Sequence, residues 1–556
     1  MHKRVGGQSY YYLREMARVD GKPKMISQRY LGKAADIEAA MDGATVEPER
    51  TRHLAFGDVA AVFSVLERLG VAGIVDEVVG GRRADAAALV GTYIALACAN
   101  RVVDPCSKLA FAEWWATTAA DRWVRLPAAA LDHRRFWDAM DAISAAQLAE
   151  IERRVTARMV TVFGIDLSGL VLDMTNFATY IDSANDRAPI AQRGHAKQKR
   201  TDLRLVGLGL VVSTDGGVPL LSHTYPGDRP DVTQFAGMVK ELVARWGALA
   251  AAADNLTLVY DAGQDSAANQ AVIEASPLHF VGSLPPSDFP ELLAVPASKF
   301  RPVGDAYPGV TAYETRAVAL GVDRRVIVCH SPTLEAKQHA GFTQTITKAG
   351  GRLDELAARL ARGKTRRDRQ AVEADIARIL APRWLAQVIG TTLTGDGPAE
   401  LRLTWQVDRR ARQALEDQQF GKRILFTDQD HWPHAQVIGA YRSQSEVEND
   451  FRQMKDPDLV AFSPMFHWTD QKIRVHAYYC VLALTVARLM ARQAAHAGHP
   501  MSVRQLLGHL AGIQETVLIY PSTGGRPRAR RMTTDMNPTQ RHLYDLFGLA
   551  AYAPKP

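Results

Sequence analysis

Residues 9–32 alternate between apolar and polar positions as two short runs, SYYYLREMARV and KMISQRYLG, around Asp20-Gly21. Asp-Gly between two such runs is a strong hairpin signal, because the turn needs backbone angles that these residues tolerate. Residues 33–50 read as a helix and a linker. From Leu54 to about residue 165 the period becomes helical. Val59, Val62, Phe63 and Leu66 recur at i, i+3, i+4 and i+7, and Gly70 follows as a stop. The uncharged run Ala86 to Asn100 has fifteen residues. That falls short of the roughly 18 a spanning helix needs, so it reads as a core helix, and no membrane partner is expected.

The period changes again near residue 168. GLVLDMTNF reads as a strand with an acid at its end, LRLVGLGLVVS as a second and VPLLSHTYPG as a third. Asp231 caps a helix with Val232, Phe235, Val239, Leu242, Val243 and Trp246 on its apolar side. LTLVYDAG is a fourth strand, again ending in an acid, then a helix over 266–275 and a fifth strand, HFVGSLP. Three hairpin-linked strands, a crossover helix, a strand, a helix and a strand describe an α/β mixed sheet with helices on its faces. Residues 286–425 interrupt the pattern with strand-like runs (TAYETRAVAL, RRVIVCHS, LRLTWQVD) and charged helices near 333–362 and 366–381. GKRILFTDQ is a further strand. Residues 435–458 read as one helix and Gln471 to Ala494 as a longer apolar one; the tail after Pro521 reads as a basic loop. No internal repeat is evident.

Length and composition narrow this picture. At roughly 150 residues per domain, 556 residues suggest three or four domains. Apolar residues at 47% and charged residues at 23% exclude a mainly disordered chain. The net charge is 67 − 60 = +7, mild for this length, and favours an anionic partner only where it is clustered. Cys98, Cys106, Cys329 and Cys480 lie far apart with no C-x-x-C pair, which argues against a zinc ribbon or a disulfide scaffold and fits a reducing cytosol. The N-terminus has no apolar stretch behind its basic residues, so no secretory signal is expected and the cytoplasm is the expected location.

Three acids carry the candidate chemistry. Asp173 and Asp261 stand at expected strand ends, and Glu448 lies on a helix inside YRSQSEVENDFRQMK. Strand ends of an open sheet face a shared crevice, and neighbouring strands are about 4.8 Å apart. Three carboxylates with open positions suit a hard cation such as Mg²⁺ or Mn²⁺, and two such ions can stabilise both oxygens of a phosphodiester displacement. Sixty acids make any such triple easy to find, and a strand-end Asp alone is more often a turn former. Tyr441, Gln444, Glu448 and Lys455 are spaced to share one helix face, with Val447, Phe451 and Met454 on a neighbouring apolar stripe. A solvated Glu–Lys face is the bland alternative. Asp265 rivals Asp261, and Glu446 and Asp450 rival Glu448, although positions two apart point about 200° round a helix.

Tyr441-x2-Gln444-x3-Glu448-x6-Lys455 resembles the Y-x2-R-x3-E-x6-K signature of a group of bacterial insertion-sequence DDE transposases, with Gln444 where the group usually has Arg. VLDMTNFATYI resembles the group's first-Asp segment, the stretch from Arg193 to Asp231 resembles the group's next segment, and LVYDAGQDSAANQ resembles its second-Asp segment. SPMFHWTDQKIRVHAYYCVLAL looks like the continuation after the signature, so the resemblance runs from about 165 to 490. It implies an RNase H-like catalytic domain with an α+β insertion before the Glu. Asp173, Asp261 and Glu448 become the catalytic, metal-binding triad for two Mg²⁺ ions, or Mn²⁺ in their place. Tyr441, Gln444 and Lys455 become DNA contacts. The expected divisions are a hairpin and linker (1–50), a helical DNA-end-binding region (51–165), the core's first part (166–285), the insertion (286–425), the core's second part (426–500) and a C-terminal region with a basic tail (501–556). The implied partners are the terminal inverted repeats and target DNA, with a homodimer holding two ends.

Basic clusters fit a DNA track: Arg193, His195, Lys197, Lys199, Arg200 and Arg204 foremost, then Lys364, Arg366, Arg367 and Arg369, then Arg526, Arg528, Arg530 and Arg531. Each taken singly reads equally as solvated surface. Trp384 and Trp405 could stack on a flipped base, as the resemblance allows, although core packing is the simpler reading. Gly363-Lys364-Thr365 lacks the first glycine of a P-loop, His431 and His434 lack a third ligand, and no G-x-S-x-G elbow occurs. The expected activity is metal-dependent cleavage at element ends with strand transfer. The alternatives are an RNase H-like nuclease that cuts without joining and a non-catalytic, transposase-derived DNA-binding protein.

Overall fold

A computed structural model describes residues 1–19, 22–41, 47–81, 87–195, 202–253, 256–364, 367–521 and 528–555. In chain order the first elements are β1 His2–Val5, β2 Gln8–Val19, β3 Lys22–Lys33, α1 Ala34–Met41 and β4 Arg50–Ala55. Then come α2 Gly57–Leu69, α3 Val71–Val79, α4 Val90–Val103, α5 Phe111–Ala116, α6 His133–Asp141 and α7 Ala145–Phe163. A mixed α/β stretch is next: β5 Gly169–Thr179, β6 Arg204–Ser213, β7 Pro219–Pro226, α8 Phe235–Ala253, β8 Thr257–Tyr260, α9 Ala267–Glu274 and β9 His279–Leu284. After it are α10 Pro290–Leu293, β10 Arg301–Pro302, β11 Thr311–Ala319, β12 Val322–His330, α11 Pro332–Ala361, α12 Arg369–Leu380 and α13 Leu385–Val388. β13 Ile389–Thr394, β14 Arg402–Val407, α14 Arg409–Gln419 and β15 Lys422–Thr427 lead to α15 His434–Arg442, α16 Gln444–Lys455 and α17 Asp470–His496. The chain ends with α18 Val503–Ala511, β16 Gln514–Tyr520, β17 Arg528–Thr533 and α19 Pro538–Leu546.

These elements form two compact units. One comprises Met1–Ala61, Trp115–Arg125 and Leu507–Pro556; the other comprises Val62–Trp114 and Leu126–Leu506. In the first unit the expected hairpin is present as β2 and β3, with Val19 paired to Lys22; Asp20 and Gly21 themselves lie outside the described residues. A further strand, β1, adds to it through Gly6-Gly7, whose φ values of +58° and +80° suit the tight two-residue turn between Val5 and Gln8. Two expectations need correction. Residues 50–55, read as the end of the linker and the start of the helical region, form β4, and residues 528–533, read as basic loop, form β17; β16 lies between them as the central strand of a second antiparallel sheet. Both edge strands are too polar to look like strands, and what holds them is pairing to the apolar TVLIY of β16.

In the second unit the described strands order as β10-β11-β12-β15-β9-β8-β5-β6-β7. β5, β6 and β7 are antiparallel neighbours, whereas β8 and β9 run parallel to β5. This is a mixed sheet with helices on its faces and a helical insertion, an arrangement consistent with an RNase H-like fold. Within 286–425, strands β10, β11, β12 and β15 extend that sheet beyond β9. Residues from α11 to α14 instead gather around an apolar cluster of their own, with Leu353, Val372, Leu385 and Val388 at its centre.

Helix α17 is long and apolar enough to cross a membrane, but 94% of its most apolar window is buried inside the protein, so it is a core helix. It packs on α4, also buried as expected, and on α6 and α7. Lys108 lies in this interior. Its Nζ sits 4.5 Å from the Tyr479 ring centroid and 5.3 Å from that of Phe136, with no hydrogen-bond partner. Burial, with Arg101 adding, pushes its amine down to about 7 from 10.5. Between those two values the unfolded chain holds the proton and the folded chain does not, so folding stability rises with pH across that window. Lys108→Met should stabilise this core at neutral pH by about 1–3 kcal/mol by removing an unsatisfied buried amine. It should also flatten the rise, which urea melts across the window will read.

Candidate functional site

Asp173 is not at the end of its strand. It is the fifth residue of β5, which continues to Thr179 because β6 pairs with it all the way, Thr179 opposite Arg204. The partner on the other side stops instead. β8 ends at Tyr260, and the parallel register pairs Val171 with Val259, so two residues further on Asp173 and Asp261 stand level. Level residues on neighbouring strands point to the same face. Met174 points to the opposite face, where Gly209 leaves room for Met238 of α8. Asp173, Thr175 and Phe177 therefore face α16: Lys455 Nζ donates to Thr175 Oγ1 at 2.7 Å, and Phe177 stacks on Phe462 at 4.1 Å.

Asp261 follows β8 directly and opens the short 3-10 turn Ala262–Gln264. Two hydroxyls hold its Oδ1: Ser283 Oγ donates at 3.0 Å and the Tyr441 hydroxyl at 2.9 Å, themselves 3.0 Å apart. Burial, with Asp261 adding, holds the Tyr441 phenol above its ordinary range, while Arg423, 4.8 Å from the ring centroid, opposes the shift. Sequence reasoning missed Ser283. Its signal was the alignment of the fifth strand beside the fourth, which puts Ser283 level with Asp261.

The expected helix over 435–458 is two helices. The Ser443 amide bonds back to the Gly439 and Ala440 carbonyls, closing α15 before α16 begins. Tyr441 thus sits on α15, and Gln444, Glu448 and Lys455 sit on α16. Tyr441 reaches Asp261 and Lys455 reaches Thr175, so the helix segment bearing Glu448 runs between these two anchors. Val447, Phe451 and Met454 are buried as expected, and Glu448 is exposed at the edge of that face. The rivals Glu446 and Asp450 are held by Arg488 of α17, Nε to Asp450 and Nη1 at 3.4 Å from Glu446. Burial raises the fully buried Asp450 to about 7 against the pull of Arg488.

Further acids crowd the same strand ends. Neither carboxylate oxygen of Asp265 has a hydrogen-bond partner, and burial, with Asp261 and Asp288 adding, raises it to about 8. Asp231, unremarked except as a cap, accepts from the Tyr225 hydroxyl at 2.6 Å, and the charge of Asp173 is also felt at that hydroxyl. Among the described residues, no three His, Cys, Asp or Glu side chains converge closely enough to form a ligand set for an ion. The register brings Asp173 and Asp261 level; Glu448 is exposed on α16.

The basic residues fare differently. Lys197, Lys199, Arg200, Arg366 and Arg526 lie outside the described residues. Arg204 spends its guanidinium on the carbonyls of Ser183 and Asn185, each at 2.6 Å, and the His195 carbonyl accepts from Asn176 at 2.9 Å; Arg193 is exposed beside it. Arg369 ties to the Leu393 and Gly395 carbonyls, Arg367 to Asp375, and Arg531 to Glu515 at 2.6 Å. Gln444 is buried, with an amide nitrogen that has no partner. Trp405 donates to Asp354 at 2.8 Å and lies against Gly350, and Trp384 packs on Phe342 and Phe420. Both tryptophans pack against the apolar cluster of the insertion.

No protein-family model matches the chain, and no curated protein matches it. A solved structure of a piggyBac transposase synaptic complex with hairpin DNA is similar at 10% identity and a TM-score of 0.38, over 84% of this chain and 82% of that one. The likeness is loose, and no residue's role follows from it. The arrangement that presents Glu448 depends on the Arg488 pairings. Arg488→Met should destabilise this unit by about 3–5 kcal/mol, because it leaves Asp450 buried without its cation. Chemical denaturation at neutral pH reads the loss, and Asp450→Asn in the same chain should recover part of it.

Proposed function

We propose that the chain is a DNA transposase that cleaves at the ends of its element and joins them to target DNA. One observation carries the reading: Asp173 and Asp261 stand level on adjacent parallel strands, on the face crossed by the helix that bears Glu448. The donor set fits a hard divalent cation. It is all carboxylate, and beside it the buried, unpartnered carboxyl of Asp265 is held protonated to about 8 by burial with the charges of Asp261 and Asp288 adding. Asp173, Asp261 and Glu448 would hold Mg²⁺ or Mn²⁺, two per site. Such ions supply Lewis-acid stabilisation of the oxygens at a phosphodiester being displaced.

The chain's own groups orient that chemistry. Ser283 and Tyr441 fix the Asp261 carboxylate by hydrogen bonds, as outer partners fix a ligand. Lys455 puts a cation two residues along β5 from Asp173. Water cleaves the bond at the element's end and leaves a 3′-hydroxyl. That hydroxyl then attacks a phosphodiester of the target and displaces a new 3′-hydroxyl. Holding two ends at once calls for a homodimer in the DNA complex.

Asp173→Asn and Glu448→Gln should each lower Mg²⁺-dependent nicking and strand transfer by more than about a hundredfold, beyond the 10–100-fold typical of outer-shell partners. Binding to terminal-repeat DNA should remain. Full cleavage by either variant removes the assignment. Nicking without joining by the unmodified chain favours a nuclease, and binding without nicking favours a non-catalytic DNA-binding protein.

A further inference from the structure

The N-terminal sheet β1-β2-β3 holds most of the chain's net charge. Residues 1–33 contain eight Lys and Arg (3, 4, 14, 18, 22, 24, 29 and 33) against Glu15 and Asp20, so 8 − 2 = +6 of the total +7. The sheet is a single layer. Of its described side chains none is buried, and Gly32 is the residue that is. Leu13, Met16, Met25, Ile26 and Tyr30 are each between 46% and 59% exposed. Two or three strands without a covered face are marginal on their own, so this sheet has surface to give to a partner.

Pairing and alternation sort its residues by face. Tyr10 pairs with Lys3 on one side and Lys33 on the other, Tyr12 with Tyr30, Arg14 with Gln28, Met16 with Met25 and Arg18 with Pro23. These pairs share one face, and no strand residue on it is acidic. Its centre is aromatic: the Tyr30 ring lies 5.3 Å from that of Tyr12 and 6.3 Å from that of Tyr10. Asp36 and Arg528 are both within electrostatic reach of Tyr30 and oppose each other. Glu15 lies on the other face, bonded to Ser27.

We propose that the face bearing Lys3, Arg14, Arg18 and Lys33 around its three tyrosines docks duplex DNA through the phosphate backbone. The inference deepens the transposase reading and takes from it DNA as the polyanion. At about 3.3 Å per residue, each twelve-residue strand of the β2–β3 ribbon spans about 40 Å. A two-stranded ribbon also fits the width of a major groove. The four cations meet phosphates, and the hydroxyls of the exposed Tyr30 and the half-buried Tyr10 and Tyr12 can add donors.

The test uses the full chain and a mixed-sequence duplex without terminal repeats, with fluorescence anisotropy read against salt. Changing Lys3, Arg14, Arg18 and Lys33 together to Gln should lower the slope of log K against log salt by about 3–4 and weaken binding at least tenfold. On the unmodified chain, the duplex should protect Lys3 and Lys33 from acylation and leave Lys24, on the opposite face, reactive. Unchanged slope with no protection overturns the proposal, even if the chain still cleaves element ends. Binding at this face by a chain that cleaves nothing supports it while removing the transposase reading. A DNA-free dimer that the four changes dissociate, with an unchanged slope, makes a second copy the occupant and also overturns it.

Discussion

Burial of an acid beside two other carboxylates at the end of β8 is the constraint on which the candidate site depends. Burial, with the charges of Asp261 and Asp288 adding, makes Asp265 hold its proton to about 8. Among the described residues, no arginine or lysine bonds to these three. Ser283 and Tyr441 offer Asp261 neutral hydroxyls instead, which fix its direction without cancelling its charge. A protein that needed only stability would place a cation or an apolar side chain there. The proposed cation would meet that carboxylate.

The sheet and helices around that point are stiffened by cations used elsewhere. Arg488 joins α17 to Asp450 and Glu446 on α16. Arg492, one turn later, bonds Asp215 at 2.6 Å and the carbonyls of Phe163 and Gly164, joining α17 to the β6–β7 turn and the end of α7. Arg101 reaches the Ala461 and Ser463 carbonyls. These side chains are almost wholly buried, so each would be costly without its partners. Of the three, Arg488 is the one that holds Asp450 and Glu446 on α16, while Glu448 on the same helix is exposed.

Period and turn chemistry made much of this legible beforehand. The hairpin at 8–33, the helical stretch after residue 57 and the order of the five strands from β5 to β9 all follow from alternation, glycine stops and Asp-Gly or Asp-Gly-Gly turns. Local pattern failed where pairing partners decide. β4 and β17 are polar strands recruited by β16, and Asp173 is mid-strand because β6 outlasts β8 beside it. The break at Ser443 was hidden because an apolar stripe continues across it. At the site, Asp173, Asp261 and the α16 face could be chosen from spacing and resemblance. Ser283 and the crowding around Asp265 depend on strand register, which residue types alone do not reveal.

Charge shows the same division between sequence and structure. A run of Arg and Lys reads as a nucleic-acid surface in one dimension, yet Arg204, Arg367, Arg369 and Arg531 are spent on carbonyls and carboxylates of their own fold. A guanidinium with fixed, planar donors suits that structural work, because it can close several backbone acceptors at once. What such tethering consumes is not offered to a ligand. Most of the chain's net charge sits in residues 1–33, where the described side chains of the N-terminal sheet are exposed or half-buried and few of its cations have acceptors of their own fold to close. Exposure after internal pairing, rather than density along the chain, is therefore the physical criterion that separates a binding charge from a structural one.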